Sequence, residues 1–390
     1  MTVPAWLLQR FQAAGGAVPF RTYMQWVLHD PEHGAYGAGR LRIGPAGDFA
    51  TAPSLGPDFA ALLLPQLVEW LAALAADHPQ APLALVEAGP GEGSLAADLA
   101  AGLAAGWPEL AARTELVLVE PNAGMAERQR QRLAACPLPC RWSSFEALAA
   151  APVRGVVLAH EVLDALAVER IVWHGALWRQ QMVALHGGAA AQPSLRLEPG
   201  DPLEPEAASQ LEALGLLPPS PQRPEGWCSE LHPELAPWLA CCGEALGAGA
   251  LLVIDYALEA WRYYAPQRSN GTLMAYREQR ASSDPLQEPG AWDLTAHLCI
   301  ESVDAAAIAC GWQPLGQCRQ GQALLALGLA ERLHGLQQGS DLAAQLARRE
   351  ALLRLVDPAA LGDFRWLAYG RGLASLAGQG PPRFLREPPR

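Results

Sequence analysis

The sequence predicts an α/β protein in which a parallel, Rossmann-like sheet carries helices on both faces and a smaller α+β domain is added. Short, continuous apolar runs alternate with helical stretches from Leu83 onward, which is typical of strands buried on both faces. A glycine-rich turn, GPGEG, separates the first of these runs from the helix after it. Of the 390 residues 51% are apolar, which is enough for a large core.

Residues 1–80 are predicted to be helical apart from one loop. One face of a helix is indicated by apolar side chains at helical spacing: Phe59, Leu63, Leu67, Trp70 and Leu74. Pro65 lies inside this pattern and should kink the helix. The loop before it is rich in glycine and proline, and we expect its Asp48 and Thr51 to reach a ligand cleft.

Residues 81–170 and 226–330 are predicted to form the sheet and its covering helices. Four apolar runs are interpreted as its buried strands: LALVEAG, ELVLVE, RGVVLAH and GALLVIDYA. Helical stretches follow the first two, and Asn122 is suited to cap the second helix.

The other units lie inside or after this core. Residues 171–225 are predicted to form an inserted β/α subdomain, which begins with two strands around a His-Gly turn. Residues 331–377 are predicted to be C-terminal helices. Residues 378–390, which include GQGPPRFLREPPR, are expected to form a flexible tail.

The charge and the choice of basic residues exclude several functions. A formal charge of −12 argues against sequence-independent nucleic-acid binding, which needs a basic face. All 28 basic residues are arginine, so a Schiff-base lysine and a P-loop lysine are both excluded.

The cysteines and the apolar runs indicate the cellular compartment of the protein. None of the eight cysteines stands in a C-x-x-C pair, so we expect reduced thiols and no metal site. The beginning of the chain lacks the long apolar segment of a signal peptide, and no run of 18 apolar residues occurs. We therefore expect a cytoplasmic protein without membrane insertion.

The glycine turn predicts a site for an adenosine. A buried strand, a glycine turn and a helix let the backbone turn sharply and approach a ligand closely. Glu120 ends the next strand, where a carboxylate can accept hydrogen bonds from both ribose hydroxyls, and Pro121 follows it.

The residues around the turn favour one adenosine cofactor over others. Gly89, Pro90, Gly91 and Gly93 form a G-x-G-x-G pattern rather than the G-x-G-x-x-G of dinucleotide-binding enzymes. Glu87, two residues earlier, would repel a pyrophosphate but suits an ammonium group. S-adenosyl-L-methionine carries both an ammonium and a sulfonium, so the pattern predicts this cofactor; the alternative is a tight turn of purely structural role.

Acidic residues are predicted at the edge of the sheet where ligands bind. The carboxyl ends of parallel strands carry the chemistry of such sheets, and the third strand runs into HEVLDALAVER with Glu161, Asp164 and Glu169. Glu161 and Asp164 are three residues apart and share a face on a helical turn. His297, in WDLTAHL, could bond a carboxylate or the substrate. The competing interpretations are a solvated strand end for Glu169 and a structural histidine for His297.

Ordered sequence blocks over nearly the whole chain carry a family resemblance. They include RTYMQWVLHDPEHGAY, GDFATAPSLGPDFAALL, LVEAGPGEGSL, HEVLDALAVER, SELHPELAPWL and DFRWLAYGRG. In these blocks the sequence resembles the MidA-like class I methyltransferases, relatives of a mitochondrial complex I assembly factor that dimethylates an arginine. It departs from the usual family pattern at His160, where asparagine is common, and at Glu92, where arginine is common.

The resemblance implies a seven-stranded class I methyltransferase sheet and protein arginine methylation. The implied target is the 49-kDa-type subunit of an NADH dehydrogenase-like complex. Two carboxylates, Glu161 and Asp164, would hold one guanidinium by charge-assisted hydrogen bonds. Two alternatives stay open at this point: an assembly chaperone that binds the cofactor only as a ligand, and a small-molecule methyltransferase.

Overall fold

The computed structural model describes residues 3–44, 47, 50–187, 192–216, 223–336, 341–373 and 380–388. Asp48 lies outside these residues. The helices of the described chain are α1 (Ala5–Ala13), α2 (Phe20–His29), α3 (Asp58–Asp77), α4 (Ser94–Gly106), α5 (Pro108–Ala111), α6 (Ala123–Arg132), α7 (Phe145–Ala150), α8 (Pro205–Ala213), α9 (Leu235–Ala245), α10 (Ala260–Tyr263), α11 (Ile300–Ala309), α12 (Gln320–Ala326), α13 (Leu329–Gly335) and α14 (Leu342–Val356).

The strands of the described chain form four sheets. They are β1 (Ala17–Pro19), β2 (Leu83–Ala88), β3 (Thr114–Val119), β4 (Cys140–Ser143), β5 (Val153–His160), β6 (Glu169–His174), β7 (Leu177–His186), β8 (Ser194–Pro202), β9 (Cys228–Leu231), β10 (Leu246–Asp255), β11 (Ala257–Leu258), β12 (Met274–Arg277), β13 (Arg280–Ser282), β14 (Asp293–Thr295), β15 (Leu298–Cys299), β16 (Gln313–Arg319) and β17 (Arg365–Arg371).

The main sheet has seven strands in the order β16-β17-β10-β5-β2-β3-β4. Neighbours from β10 to β4 run parallel, whereas β17 is antiparallel to both β10 and β16. The predicted α/β fold with a seven-stranded, Rossmann-like sheet is therefore confirmed. Because the parallel strands end at one edge, the residues that follow β2, β3, β5 and β10 meet there.

Apolar side chains pack on both faces of this sheet, as the continuous apolar strands predict. All six residues of β2 are buried. On one face lies α3, whose Phe59, Leu63, Leu67, Trp70 and Leu74 are fully buried in the core. The helix continues through Pro65 without ending. On the other face lie α7, α9 and α11.

Helix α3 is also the one described helix long and apolar enough to cross a membrane. However, 61% of its most apolar window is buried inside the fold. Its hydrophobicity therefore serves the protein core, and it carries no further evidence for a membrane span.

The smaller domain is a second sheet of five strands, in the order β1-β7-β6-β9 with β8 paired to β7. The two strands predicted around the His-Gly turn are β6 and β7, paired antiparallel with Trp173 opposite Trp178. The sheet extends beyond the predicted bounds of 171–225, because β9 and the N-terminal strand β1 complete it.

The C-terminal part of the chain differs from the prediction. Residues 331–377 were expected to be helical, but Arg365–Arg371 form β17 in the main sheet. Residues 378–390 were expected to be a flexible tail, yet Phe384 is 1% exposed and lies against Trp70 and Trp366. Arg365, Gly370 and Arg371 make RWLAYGR less uniformly apolar than the other strands, which explains why it was missed.

Candidate active site

The glycine turn lies between β2 and α4 and has a conformation that suits glycine. Gly89, Gly91 and Gly93 have φ angles of 59°, 54° and 76°, in the left-handed region that residues with a Cβ rarely adopt. A Cβ on Gly89 would lie 2.9 Å from the Val162 side chain, and one on Gly91 would lie 2.8 Å from Ile43. The GPGEG pattern is therefore required both by the backbone and by close neighbours.

Glu87 is the next-to-last residue of strand β2, and one of its carboxylate oxygens is an unused hydrogen-bond acceptor among the described residues. The side chain is buried, and Oε2 has no hydrogen-bond partner among the described residues. Burial raises the pKa of the Glu87 carboxyl to about 8, although the Ala96 backbone N–H donates to it. A buried carboxylate oxygen without a partner beside a glycine turn fits the ammonium group of S-adenosyl-L-methionine.

Glu120 follows β3 and is held by its neighbours. Its Oε1 accepts from the Asn122 backbone N–H at 2.9 Å, and its Oε2 accepts from Gln129 Nε2 at 3.0 Å. The same Gln129 nitrogen donates to the Gly91 carbonyl at 2.8 Å, and Gln129 Oε1 accepts from Trp142 at 2.9 Å. Gln129 is fully buried and was not singled out from the sequence, where it is one of two glutamines in RQRQR.

The N-terminal unit covers this corner. Asn122 caps α6 and donates through Nδ2 to the carbonyl oxygens of Tyr36 and Gly37, at 2.8 and 2.6 Å. The Tyr36 side chain forms a hydrogen bond with Asp293. Tyr36 thereby joins the cofactor corner to the acidic residues described below.

The remaining residues predicted to bind cofactor are Thr51 and Pro121, since Asp48 lies outside the described residues. Thr51 is 8% exposed, and the N–H of the next residue, Ala52, donates to Glu161. The contact places this loop against Glu161. Pro121 is exposed directly after Glu120.

Four carboxyl groups share one buried region where β5 and β10 end. They are Glu161, Asp164, Asp255 and Asp293, and the three aspartates are 0–4% exposed. Burial, followed by the charges of Asp255 and Asp293, raises the pKa of both Glu161 and Asp164 well above the usual range. We call this set the carboxylate cluster. Asp293 lies in the WDLTAHL segment. Asp255 lies near the end of the apolar run GALLVIDYA, so the sequence shows that Asp255 ends a strand, but no role was predicted for this residue.

Aromatic rings border the carboxylate cluster. Burial, followed by the charges of cluster carboxyls, raises the pKa of Tyr36, Tyr256 and Tyr276. His297 stacks on Tyr256 with ring centroids 5.4 Å apart. Burial lowers the pKa of His297 to about 4, so its imidazole is neutral at pH 7. His297 therefore borders the cluster through Tyr256, and a bond from His297 to a carboxylate or to the substrate stays a prediction.

The two departures from the family pattern each have a local partner. Glu92 pairs with Arg128, with Nε and Oε2 3.2 Å apart. His160 Nδ1 lies 3.4 Å from Glu161 Oε1, and its ring meets the edge of Phe59. Burial lowers the pKa of His160 to about 3, so it is a neutral neighbour of the carboxylate cluster.

Glu169 does not join the carboxylate cluster in the part of the chain that the structure describes. It begins β6, opposite Leu231 of β9, in the smaller sheet. Its neighbours there are the Gln180 side chain, which is hydrogen-bonded to it, and Arg21. The sequence grouped it with Glu161 because both follow the third strand in HEVLDALAVER, but the chain turns away into β6.

Two members of the carboxylate cluster, Glu161 and Asp164, have no arginine partner: over the described ranges, neither forms an ion pair with one. No group of His, Cys, Asp and Glu in the described residues is arranged to hold a metal ion. Buried carboxylates without a counter-charge are costly in the free protein. The arrangement is therefore suited to an organic cation that enters from outside.

Comparison with known proteins decides the family. A family model for S-adenosyl-L-methionine-dependent methyltransferases matches residues 62–318, more than half of the chain. The chain belongs to this methyltransferase family. The methyltransferase cofactor is S-adenosyl-L-methionine, as the glycine turn and Glu87 predict, and the resemblance seen in the sequence is confirmed.

Relatives and solved structures match this methyltransferase over most of its length. A Drosophila melanogaster protein named "Protein arginine methyltransferase NDUFAF7 homolog, mitochondrial" is 28% identical, covering 92% of this chain and 82% of its own. Its Danio rerio counterpart is 24% identical, covering 90% and 82%. A Burkholderia thailandensis protein crystallised with S-adenosyl-homocysteine is 30% identical, with a TM-score of 0.83 over 99% of this chain and 95% of its own.

Proposed function

We propose that this methyltransferase transfers methyl groups to an arginine side chain of a protein. The observation that carries the proposal is the carboxylate cluster, buried at the edge of the sheet that also carries the glycine turn. A guanidinium offers a positive charge and five N–H donors in a planar fork, which matches carboxylate acceptors. The names of the fly and zebrafish relatives support the same substrate class.

The residues of the cluster explain how a guanidinium could react. S-adenosyl-L-methionine, when bound, supplies an electrophilic methyl group on its sulfonium. Glu161 and Asp164 would accept N–H bonds from the guanidinium and keep one nitrogen in a fixed orientation, which is the main rate advantage available here. Methylation replaces one N–H bond with an N–CH₃ bond, so one proton must leave. A cluster carboxylate can take it, because burial raises the pKa of Glu161 and Asp164.

The proposal extends to the partner and the compartment. The family resemblance favours the 49-kDa-type subunit of an NADH dehydrogenase-like complex as the substrate. The sequence favours a cytoplasmic location. No membrane insertion is required, since the apolar helix α3 is buried in the core.

A methyl-transfer assay tests the proposed function. Purified protein, radiolabelled S-adenosyl-L-methionine and the candidate subunit would be combined, and the label located by mass spectrometry. We expect methylarginine in the subunit, and much slower formation of it with the Glu161→Gln variant. Label only in a metabolite extract would instead identify a small-molecule methyltransferase. Binding of the subunit and cofactor without transfer would identify an assembly chaperone.

A further inference from the structure

The backbone of Glu161 is unusual for a residue in a partly enclosed site. Its φ angle is 54°, in the left-handed region. The other non-glycine residues with positive φ in the described chain are all exposed: Ala176, Glu278, Gln279 and Glu288. A left-handed non-glycine residue costs about 1–3 kcal/mol and persists only where its surroundings hold it. Something in the fold must therefore hold Glu161.

The end of β10 provides that support. The Glu161 N–H donates to the Ile254 carbonyl at 2.9 Å. The N–H groups of Leu163 and Asp164 both donate to Asp255 Oδ2, at 3.0 and 3.2 Å. The last two residues of β10 thus hold the start and the end of the turn that carries Glu161 and Asp164.

The second oxygen of Asp255 holds the opposite side of the site. Oδ1 accepts from the Tyr256 N–H at 2.8 Å, and the Tyr256 ring stacks on His297. Asp255 is 0% exposed, so water does not compete for these hydrogen bonds. One carboxylate therefore orders the acidic turn and the aromatic pair together.

We propose that Asp255 is a positioning residue whose two oxygens set the orientation of Glu161 and Asp164 toward the substrate guanidinium. A carboxylate is required because its oxygens accept on both sides, whereas the amide of asparagine has only one acceptor oxygen. The inference rests on the proposed function and deepens it by naming what holds the catalytic carboxylates in place.

The charge of Asp255 has a second effect that can be measured, on the pKa of its neighbours. It contributes, after burial, to the raised pKa of Glu161 and of Asp164. Removing a like charge lowers the pKa of a neighbouring carboxyl. The other titratable groups that face the cluster keep their side chains in such a variant: Asp293, His160, Tyr36, Tyr256 and Tyr276.

The experiment compares Asp255→Asn and Asp255→Glu with Asp304→Asn in the full chain. Asp304 accepts from Tyr369 of β17 at 2.7 Å, so its variant removes the charge from a half-buried hydrogen-bond acceptor outside the site. We expect both Asp255 variants to lower kcat by about a hundredfold, the typical effect of misplacing reacting groups, while the cofactor Kd stays within about threefold. Asp304→Asn should lower the melting temperature without lowering kcat.

Asp255→Glu decides the question if Asp255→Asn does not fold. The glutamate keeps the charge but moves the oxygens by one methylene. A slow variant with the wild-type cofactor Kd supports positioning by geometry. A folded Asp255 variant with the wild-type kcat overturns the proposal.

A readout without substrate separates this inference from the proposed function. Carbon-13 NMR titration of carboxyl-labelled protein follows the Glu161 and Asp164 carboxyls directly. We expect Asp255→Asn to move their titrations to lower pH, because a like charge is removed. Unchanged titrations would overturn the role of Asp255. If the wild type methylates no arginine, the proposed function fails, and this titration still decides what Asp255 does.

Discussion

The Gln129 side chain donates a 3.0 Å hydrogen bond to the Glu120 carboxylate and, from the same nitrogen, a 2.8 Å bond to Gly91. The ribose acceptor proposed for the cofactor is therefore tied to the glycine turn by a fully buried amide. Asn122 holds the other oxygen of Glu120. An acceptor fixed on both sides can meet two hydroxyls without being reordered when the cofactor binds.

Replacing Glu120 with alanine should weaken cofactor binding and leave the protein folded. Hydrogen bonds to a charged acceptor are worth about 1.5–3 kcal/mol each, so we expect at least about a tenfold rise in the Kd for S-adenosyl-L-methionine. Titration calorimetry measures it. The control is Glu115→Ala, in the strand β3 that Glu120 follows, where the carboxylate pairs with Arg141. A change smaller than threefold would remove Glu120 from the ribose role.

Gly91→Val should abolish cofactor binding. Gly91 has a φ of 54°, and a Cβ there would lie 2.8 Å from Ile43. Gly175→Val is the matched control, since Gly175 has a φ of 59° but no atom within 4 Å of an added Cβ. Both variants bear backbone strain, but only the Gly91 variant also meets a neighbouring side chain. Calorimetry should therefore show that cofactor binding is lost in Gly91→Val and kept in Gly175→Val. Wild-type affinity in a folded Gly91→Val protein would contradict the assignment.

Much of this corner could be predicted from the sequence because it is built from neighbours in the chain. Glu87, Gly89 and Gly91 lie on one strand and its turn, and Glu120 ends the next apolar run. The carboxylate cluster was predicted only in part. Glu161 and Asp164 are local to one turn, whereas Asp255 reaches them by pairing of β10 with β5.

Glu161→Gln should slow methyl transfer while the cofactor affinity stays unchanged. The amide keeps the shape but loses the charge and one acceptor, so we expect a drop of about a hundredfold or more in single-turnover rate. Glu169→Gln is the comparison, because Glu169 contacts Gln180 and Arg21 instead of the cluster. A less stable but fully active Glu161→Gln protein would contradict a catalytic role for Glu161. Slow methyl transfer by Glu169→Gln would instead support the predicted catalytic role of Glu169.

The rate with a cationic substrate should rise with pH. Burial and the neighbouring carboxyls raise the pKa of Glu161 and Asp164, so these groups hold protons at pH values where ordinary carboxyls have lost them. A guanidinium needs the anionic forms, so kcat/KM should increase as the pH rises through the raised pKa values. A kcat/KM that does not change between about pH 5, above the pKa of ordinary carboxyls, and about pH 9 would contradict this prediction.

Glu87→Gln should flatten the pH dependence of stability. Burial raises the pKa of Glu87 from 4.5 to about 8, so the folded protein favours the protonated form. Its contribution to the free energy of unfolding is therefore full below pH 4.5 and is lost as the pH rises to about 8. Urea unfolding of both proteins at several pH values tests this. The same variant should also bind S-adenosyl-L-methionine more weakly, since the amide cannot pair with its ammonium.

The smaller sheet and the last strand show which features could not be predicted from sequence patterns. The strands β6 and β7 follow a turn signal and were predicted, but β1 joins them from the far N-terminal end of the chain. Periodicity reports on local burial and carries no information about which distant segment completes a sheet. Within residues 331–377, which were assigned to helices, the strand RWLAYGR also lacked the uniformly apolar pattern of the other strands.

The strand β17 lies between β10 and β16 but is the last strand of the sheet to be synthesised. The ribosome therefore releases most of the main sheet before the strand that completes it. The strands from β2 to β10 emerge first and can pair with one another, but β10 keeps an open edge until Arg365–Arg371 have left the exit tunnel. An open, apolar edge is a template for pairing with other nascent chains. Translation stalled before β17 would therefore produce an aggregation-prone chain that already carries the glycine turn and the carboxylate cluster.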